Sequence, residues 1–491
     1  MLRKNSSWFY TKCSGFGGGF IFKLLFILFI CNASSLPAQN VWSLQKCLDY
    51  AIKNNISIIQ NKLTVETSNE KVSQNYASFF PNLNGNISHG YDYGRYINPF
   101  TNEFANTRAV SDNYSMSSSI TLFAGFQLQN NLKQSKLDYL SSEWDLKKIS
   151  NDISLNVVSD YLQVLFSMEN LKVADDQLDL IKKQQTNTKN LVDAGSLAKG
   201  SLLDINAQVA TDELGVITAQ NSLDLSYLNL QQLLDLDSIK DFTIEVPILE
   251  LPSDNITTVN ADQIFASAEK TLPEIKSADV KYQSALTGLS IARAARSPRL
   301  TLSGSIGTGY TDQALSLKGY SSVGFPQIGV DGNGIPVYSI VPEIIPNYIT
   351  TPYKDQLNDN LNKTIGLNLS LPFFNNWSTK SNIARAKIAV ESAKYTGDLA
   401  RLTLKKSIEQ AYLDATAAYK KYNATVKSVA SLEEAFKYAQ DKFDVGLIIS
   451  YDYLAAKNNL TKAESDLIQA KYDYIFKAKI LDFYQGKSLN F

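Results

Sequence analysis

Apolar residues recur along this chain in two different periods. Between Phe126 and Ala194 no Gly or Pro interrupts the sequence, and Gly195 ends the run. Within it Ile149, Ile153, Val157, Tyr161, Val164, Met168, Leu171 and Leu178 fall at steps of three, four or seven, the spacing of a coiled-coil seam. At about 1.5 Å per residue the run predicts a helix roughly 104 Å long, a rod and not a core helix. A second rod is predicted from Phe374 to Val445, ending on Gly446 with only Gly397 inside it. Its seam is Ile408, Tyr412, Ala415, Tyr419, Tyr422, Val426, Val429, Phe436 and Phe443, with Glu433 and Gln440 in the two remaining seam positions. All 13 prolines lie outside both rods, as an uninterrupted helix requires.

Shorter helical stretches are predicted over 43–78, weakened at Asn54 and Asn55, over 201–237, over 261–296 with a break at Pro273, and over 452–485. Stacked end to end in pairs, 201–237 with 261–296 and 452–485 with 43–78, they match a rod in length, so each rod is expected to be flanked by two of them. From Asn82 the period falls to two. Leu83, Ile87, Tyr91 and Tyr93 alternate with Asn, Ser and Asp, and Tyr114, Met116, Ile120 and Leu122 alternate with Ser and Thr. The pattern predicts two strands of about 10–12 residues joined by a polar loop, 94–112, a length that suits tilted strands across a bilayer. Two more strands are predicted at 300–311 and 362–371. Between them, residues 312–361 hold five prolines and five glycines without clear periodicity, which predicts a surface lid lacking regular structure.

A shift of 217 positions carries Pro81 onto Pro298, Leu83 onto Leu300 and Ala51 onto Ala268, and a shift of 251 carries Tyr161 onto Tyr412, Gly195 onto Gly446 and Leu203 onto Leu454. The chain therefore reads as a tandem repeat. The first unit, 39–258, holds a helix, a β-hairpin at 82–123, a long helical hairpin with its tip near 195 and a connector at 238–258. The second, 259–491, holds a helix, a β-hairpin at 299–372 with the long loop 312–361, and a helical hairpin with its tip near 446. Residues 1–38 read as a signal peptide: Arg3, Lys4 and Lys12 precede the apolar run 24–30, and small residues lead to cleavage after Ala38, with Ala33 the second choice. Cys31 is a candidate for lipid attachment, although Ile30 before it suits that signal poorly.

Charge adds little, since 47 Lys and Arg balance 48 Asp and Glu, and no basic surface argues for nucleic acid. Past Ala38 only Cys47 remains, so no disulfide framework exists and stability must come from packing and oligomerisation. His89, the only histidine, is assigned to the polar register of its strand, and with one cysteine it builds no metal site. No Ser/His/Asp arrangement and no paired carboxylates suggest catalysis; no enzyme activity and no cofactor are expected. The glycine-rich stretch 15–19 lies in the leader without a preceding strand and is no phosphate loop. Four lipid-facing strands cannot close a barrel alone, because open edges in hydrocarbon leave backbone groups unpaired. Two chains would supply eight strands with a filled interior, and three would supply twelve around a lumen.

The strand ends Leu122-Phe123-Ala124-Gly125-Phe126 and Leu371-Pro372-Phe373-Phe374, and the turns Asp193-Ala194-Gly195 and Asp444-Val445-Gly446-Leu447, in this order and spacing, resemble the TolC-type outer-membrane factor family. The resemblance implies a mixed fold, all-α plus membrane β: a homotrimer whose 12-stranded β-barrel in the outer-membrane lipid of a Gram-negative bacterium continues into a periplasmic α-helical tunnel. It implies an exit duct that passively conducts small molecules for a tripartite efflux pump, partnered by a periplasmic adaptor (membrane fusion) protein and, through it, an inner-membrane transporter. The alternative duct serves type I protein secretion. Adaptor docking would fall to Ala194, Gly195 and Ser196 and to Val445, Gly446 and Leu447. Acidic rings that constrict the family's entrance are matched by one carboxylate in each half, Asp204 and Asp452. Either could equally be a helix-start residue favoured by the helix dipole. No Arg lies in the tip turns, so a salt bridge at the gate is not expected. A trimeric coiled-coil surface protein is the reading from another class, but such chains gather their strands at one end, whereas here each hairpin precedes a rod.

Overall fold

The computed structural model describes residues 41–97, 102, 104–236, 242–247 and 260–487. The leader with Cys31 and most of the connector 238–258 lie outside the described residues. In chain order the elements are β1 (Val41–Trp42), α1 (Leu44–Asn54), α2 (Ile56–Ala77), β2 (Asn82–Ile97), β3 (Phe104–Phe123), α3 (Gln127–Asp193), α4 (Lys199–Leu233), β4 (Thr243–Ile244), α5 (Ala261–Thr271), α6 (Pro273–Ala294), β5 (Arg299–Thr311), β6 (Leu315–Gly324), β7 (Gln327–Val330), β8 (Pro336–Tyr338), β9 (Glu343–Thr350), α7 (Tyr353–Asp359), β10 (Asn362–Ser370), α8 (Ser378–Asp444) and α9 (Ser450–Tyr484).

The rods α3 and α8 are 67 residues each. Both begin after left-handed residues that turn the chain from strand to helix, Gly125 and Phe126 before α3 and Asn376 and Trp377 before α8. Glycine is required at 125: its φ is +61°, and a Cβ there would lie 2.4 Å from Ser297 Cβ and Oγ. The short helices break where their caps dictate. Asn55 ends α1 and caps α2, its Oδ1 accepting from the Ser57 and Ile58 amides, and Pro273 opens α6 at a position that needs no donor.

One antiparallel sheet runs in the order β10-β5-β3-β2. The helices that join these strands pack side by side in the matching order, α8-α6-α3-α2. Beyond the middle of the rods the neighbours change to α8-α9-α3-α4, because α4 and α9 fold back from the tips along α3 and α8. Where the two regimes meet, Val157, Tyr161, Val164 and Leu165 of α3 pack with Trp42, Leu48, Leu230 and Ile475. There the Tyr161 hydroxyl donates to the carbonyl of Glu245 at 2.6 Å, fastening the small parallel β1-β4 pair. Cys47 is buried in the same core, and burial pushes its thiol up to about 12, so it is an inert packing residue.

The structure departs from two of the expectations. β2 and β3 are 16 and 20 residues long, so most of the expected loop 94–112 is ladder. The apolar-polar period is hard to read there because Arg95 and Arg108 interrupt the face that carries Tyr91, Tyr93 and Phe104. Residues 312–361 are not an unstructured lid: β6 pairs with β9, β7 with β8, and α7 leads into β10. Their glycines and prolines accompany short strands whose bulges, between Leu317 and Gly319 and between Ser322 and Gly324, break the period.

Candidate functional site

At the far end of the rods two turns expose the residues singled out from the sequence. Ala194, Gly195, Ser196, Val445, Gly446 and Leu447 are all exposed, Leu447 at 74%. Each turn closes its rod in the same way. Gly195 and Gly446 take φ of +76° and +75°, Ser196 N–H reaches back to the Leu191 carbonyl at 2.8 Å, and Leu447 N–H reaches the Lys442 carbonyl at 2.8 Å. That six-residue closure needs a left-handed residue, which is why glycine stands at both places. Below the turns Ile181, Ile205, Phe436, Phe443, Tyr453 and Leu460 form one apolar cluster, with Phe443 and Tyr453 stacked at 4.9 Å, so the tips are held by a packed base.

Asp204 and Asp452 have different surroundings. The Ser450 hydroxyl donates to Asp204 Oδ2 at 2.7 Å, tying α4 to the start of α9. Asp452 lies exposed in the first turn of α9, where a carboxylate is favoured by the helix dipole. Two turns deeper is an ion pair that the sequence analysis did not single out: Lys457, 1% exposed, contacts Asp212, whose other oxygen accepts from Gln208 Nε2 at 2.7 Å. This pair also joins α4 to α9. Its signal in the sequence is the spacing of Tyr453, Lys457, Leu460 and Glu464, a seam with two ionisable residues in it. Burial raises the Glu464 carboxyl above its ordinary range; the Gln177 amide opposes this, and Glu433 and Asp176 add to it.

The sheet at the other end has two unlike faces. On one, between Asn82 and Gly90, Ser111 and Thr121, Thr301 and Thr311, and Asn362 and Ser370, every side chain is Asn, Ser, Thr or Gly. The opposite face carries Leu83, Ile87, Met116, Ile120, Leu302, Ile306, Ile365 and Leu367, with Ile87 77% and Ile365 85% exposed. His89 belongs to this apolar register and not, as expected, to the polar one. It stands opposite Asp112, and its Nδ1–H donates to the carboxylate at 2.5 Å, with Tyr91 edge-on to the imidazole at 4.8 Å. Odd positions of β2 share the apolar face from Leu83 to Arg95, and the glycine at 85 hides that parity.

No helix among the described residues is long and apolar enough to cross a membrane, and no group of acidic, His or Cys side chains among them could hold a metal. The pattern of the outer membrane efflux protein family matches residues 47–235 and 265–486. The chain is 22% identical over 463 residues to the outer membrane protein TolC of Vibrio cholerae, an alignment covering 92% of this chain and 93% of that one. It is 21% identical over 378 residues to toxin and drug export protein A of Aggregatibacter actinomycetemcomitans, covering 74% and 70%. Among solved structures it is similar to the Campylobacter jejuni CmeC outer membrane channel, with a TM-score of 0.72 at 18% identity over 91% of this chain and 87% of that one. The Vibrio cholerae outer membrane protein VceC gives 0.70 at 16% identity over 91% and 97%.

Proposed function

The chain belongs to the outer membrane efflux protein family, and on that premise we propose that three copies close into a 12-stranded barrel and a helical tunnel. It is an outer-membrane protein, the exit duct of an efflux or export system, and its family is one of channels and not of enzymes. The single observation that carries the closed duct is the shared order of sheet and helices: β2 and α2 end the layer on one side, β10 and α8 on the other. Unpaired strand edges cannot remain in hydrocarbon, so the β2 edge of one copy pairs with the β10 edge of the next. Exposed aromatics at one level on both free sides support the same joint, Tyr76 and Phe80 beside β2 and Phe373, Phe374 and Trp377 beside β10. In such a ring the Asn/Ser/Thr/Gly face lines the lumen and the apolar face meets lipid.

The two halves act as repeats, 39–258 and 259–491, each contributing one hairpin to the barrel and one helical hairpin to the tunnel. The exposed turns 194–196 and 445–447 dock a periplasmic adaptor, through which an inner-membrane transporter delivers small molecules. The export protein of Aggregatibacter, named for both toxin and drug, keeps a protein cargo as the second reading. Asp204 and Asp452 mark the narrow entrance, with Asp204–Ser450 and Lys457–Asp212 holding α9 against α4 in the closed position. Planar-bilayer recording tests this. Reconstituted protein should form cation-preferring pores, and Asp204→Ala with Asp452→Ala should lower that preference; no pores at all refutes the duct, and unchanged selectivity removes both carboxylates from the entrance.

A further inference from the structure

On the outward register of the first hairpin the ladder runs Leu83–Ser118, Ile87–Tyr114, His89–Asp112, Tyr91–Val110, Tyr93–Arg108 and Arg95–Asn106. From Leu83 to Tyr93 the strand climbs about 34 Å at about 3.4 Å per residue. Tilted by about 40–45°, that is about 24–26 Å of height, the thickness of the apolar band of an outer-membrane barrel. Tyr91 and Tyr93 therefore sit in the outer interfacial girdle, and Arg108 and Arg95 stand at its upper border, where lipid headgroups begin.

Both arginines are placed and braced. Arg108 lies over the Tyr91 ring at 5.2 Å and Arg95 over the Phe104 ring at 4.2 Å, and both side chains are exposed. As diagonal cross-strand neighbours on one face they stand roughly 7–8 Å apart at the backbone, close enough for one anion to span them. Among the described residues neither has a carboxylate within ion-pair distance: Asp312, beside Val110, accepts from the Val110 amide and from Gln313 Nε2, and Asp112 is paired with His89. A cation–π contact uses none of the guanidinium's five N–H donors, so the fork remains available to take a phosphate through two parallel hydrogen bonds.

We propose that Arg95 and Arg108 form a binding site for a phosphorylated lipid of the outer leaflet, whose headgroup phosphate they clamp while its acyl chains lie along Ile87 and Tyr91. The site rests on the outer-membrane placement of the sheet. A soluble anion fits less well, because the pair faces the bilayer at headgroup level and not the lumen.

Density-gradient fractionation tests the placement first and separately: recovery of the wild-type protein outside the outer-membrane fraction removes that reading and the lipid with it. Protein extracted from outer membranes into mild detergent is then titrated with bisphosphorylated lipid A and followed by native mass spectrometry, with the same lipid dephosphorylated as control. Lipid A should bind the wild type roughly tenfold or more tightly than Arg95→Gln/Arg108→Gln, and the dephosphorylated lipid should bind both equally weakly. The two side chains are exposed, and equal heat-modifiable mobility on gels verifies that the variant folds. Equal lipid A occupancy in wild type and variant, or equal binding of the dephosphorylated lipid, overturns the proposal. Displacement of bound lipid A by equimolar inorganic phosphate would assign the pair to a soluble anion and overturn it too.

Discussion

Replacing Lys457 by Met separates what holds the tips together from what merely surrounds them. Lys457 is 1% exposed and, among the described residues, its ion-pair partner is Asp212. Removing one member of a buried pair costs about 3–5 kcal/mol, because the other charge stays buried without compensation. Here Asp212 keeps the Gln208 amide, 2.7 Å away, which places the expected loss near the lower end, about 3 kcal/mol. The cost falls on the contact of α4 with α9, since the pair bridges these two helices. At 1.36 kcal/mol per decade, about 3 kcal/mol corresponds to roughly 150-fold faster amide exchange in residues that open when α9 leaves α4. Hydrogen exchange read by mass spectrometry over 199–215 and 450–465 measures this, with α1 and the central core around Tyr161 as internal control. The double variant Asp212→Leu/Lys457→Met, which buries no charge, should return exchange to within a few-fold of wild type. Exchange unchanged in the single variant, or as fast in the double as in the single, would refute the reasoning.

Further outcomes follow from the same geometry. In the proposed barrel, His89→Ala leaves the Asp112 carboxylate unpaired toward lipid at a cost of about 1–2 kcal/mol; His89→Ala/Asp112→Ala should recover most of it, read as the temperature at which the folded band is lost on gels. If the single variant melts with wild type, the pair does not face lipid. Glu464 is raised in the folded state, so its contribution to stability is present while it is protonated, below its unfolded pKa, and is lost as pH rises through the raised value. Glu464→Gln should therefore stabilise the helices at neutral pH and flatten the fall in melting temperature between acidic and neutral pH; circular dichroism showing the same slope in both proteins would contradict this.

Much of the architecture is legible in the sequence because long helices announce themselves by what they lack. Phe126 to Ala194 holds neither Gly nor Pro, and the observed helix Gln127–Asp193 differs from that run by one residue at each end. Val157, Tyr161 and Val164, placed on the seam by spacing alone, are fully buried. The start of α8 was less legible: Phe374 belongs to the strand-to-helix turn, and the helix waits for the left-handed pair Asn376 and Trp377. Short strands with bulges, such as β6, leave no period to read. Contacts between residues far apart in sequence are the least accessible. Asp204 meets Ser450 across 246 positions, and Asp212 meets Lys457 across 245, so no local pattern identifies either link. Only a lysine on an apolar seam hinted at the second.

The central claim is that the exposed tips deliver cargo from an adaptor into an outer-membrane duct. A photocrosslinker placed at Leu447, 74% exposed and beyond the packed base of the tip, tests it most directly in living cells, with the captured protein identified by mass spectrometry. Capture of a periplasmic adaptor that co-purifies with an inner-membrane transporter is the expected result. Capture of nothing but further copies of this chain, at normal abundance in the outer membrane, would contradict the docked duct and leave a stand-alone channel or scaffold in its place.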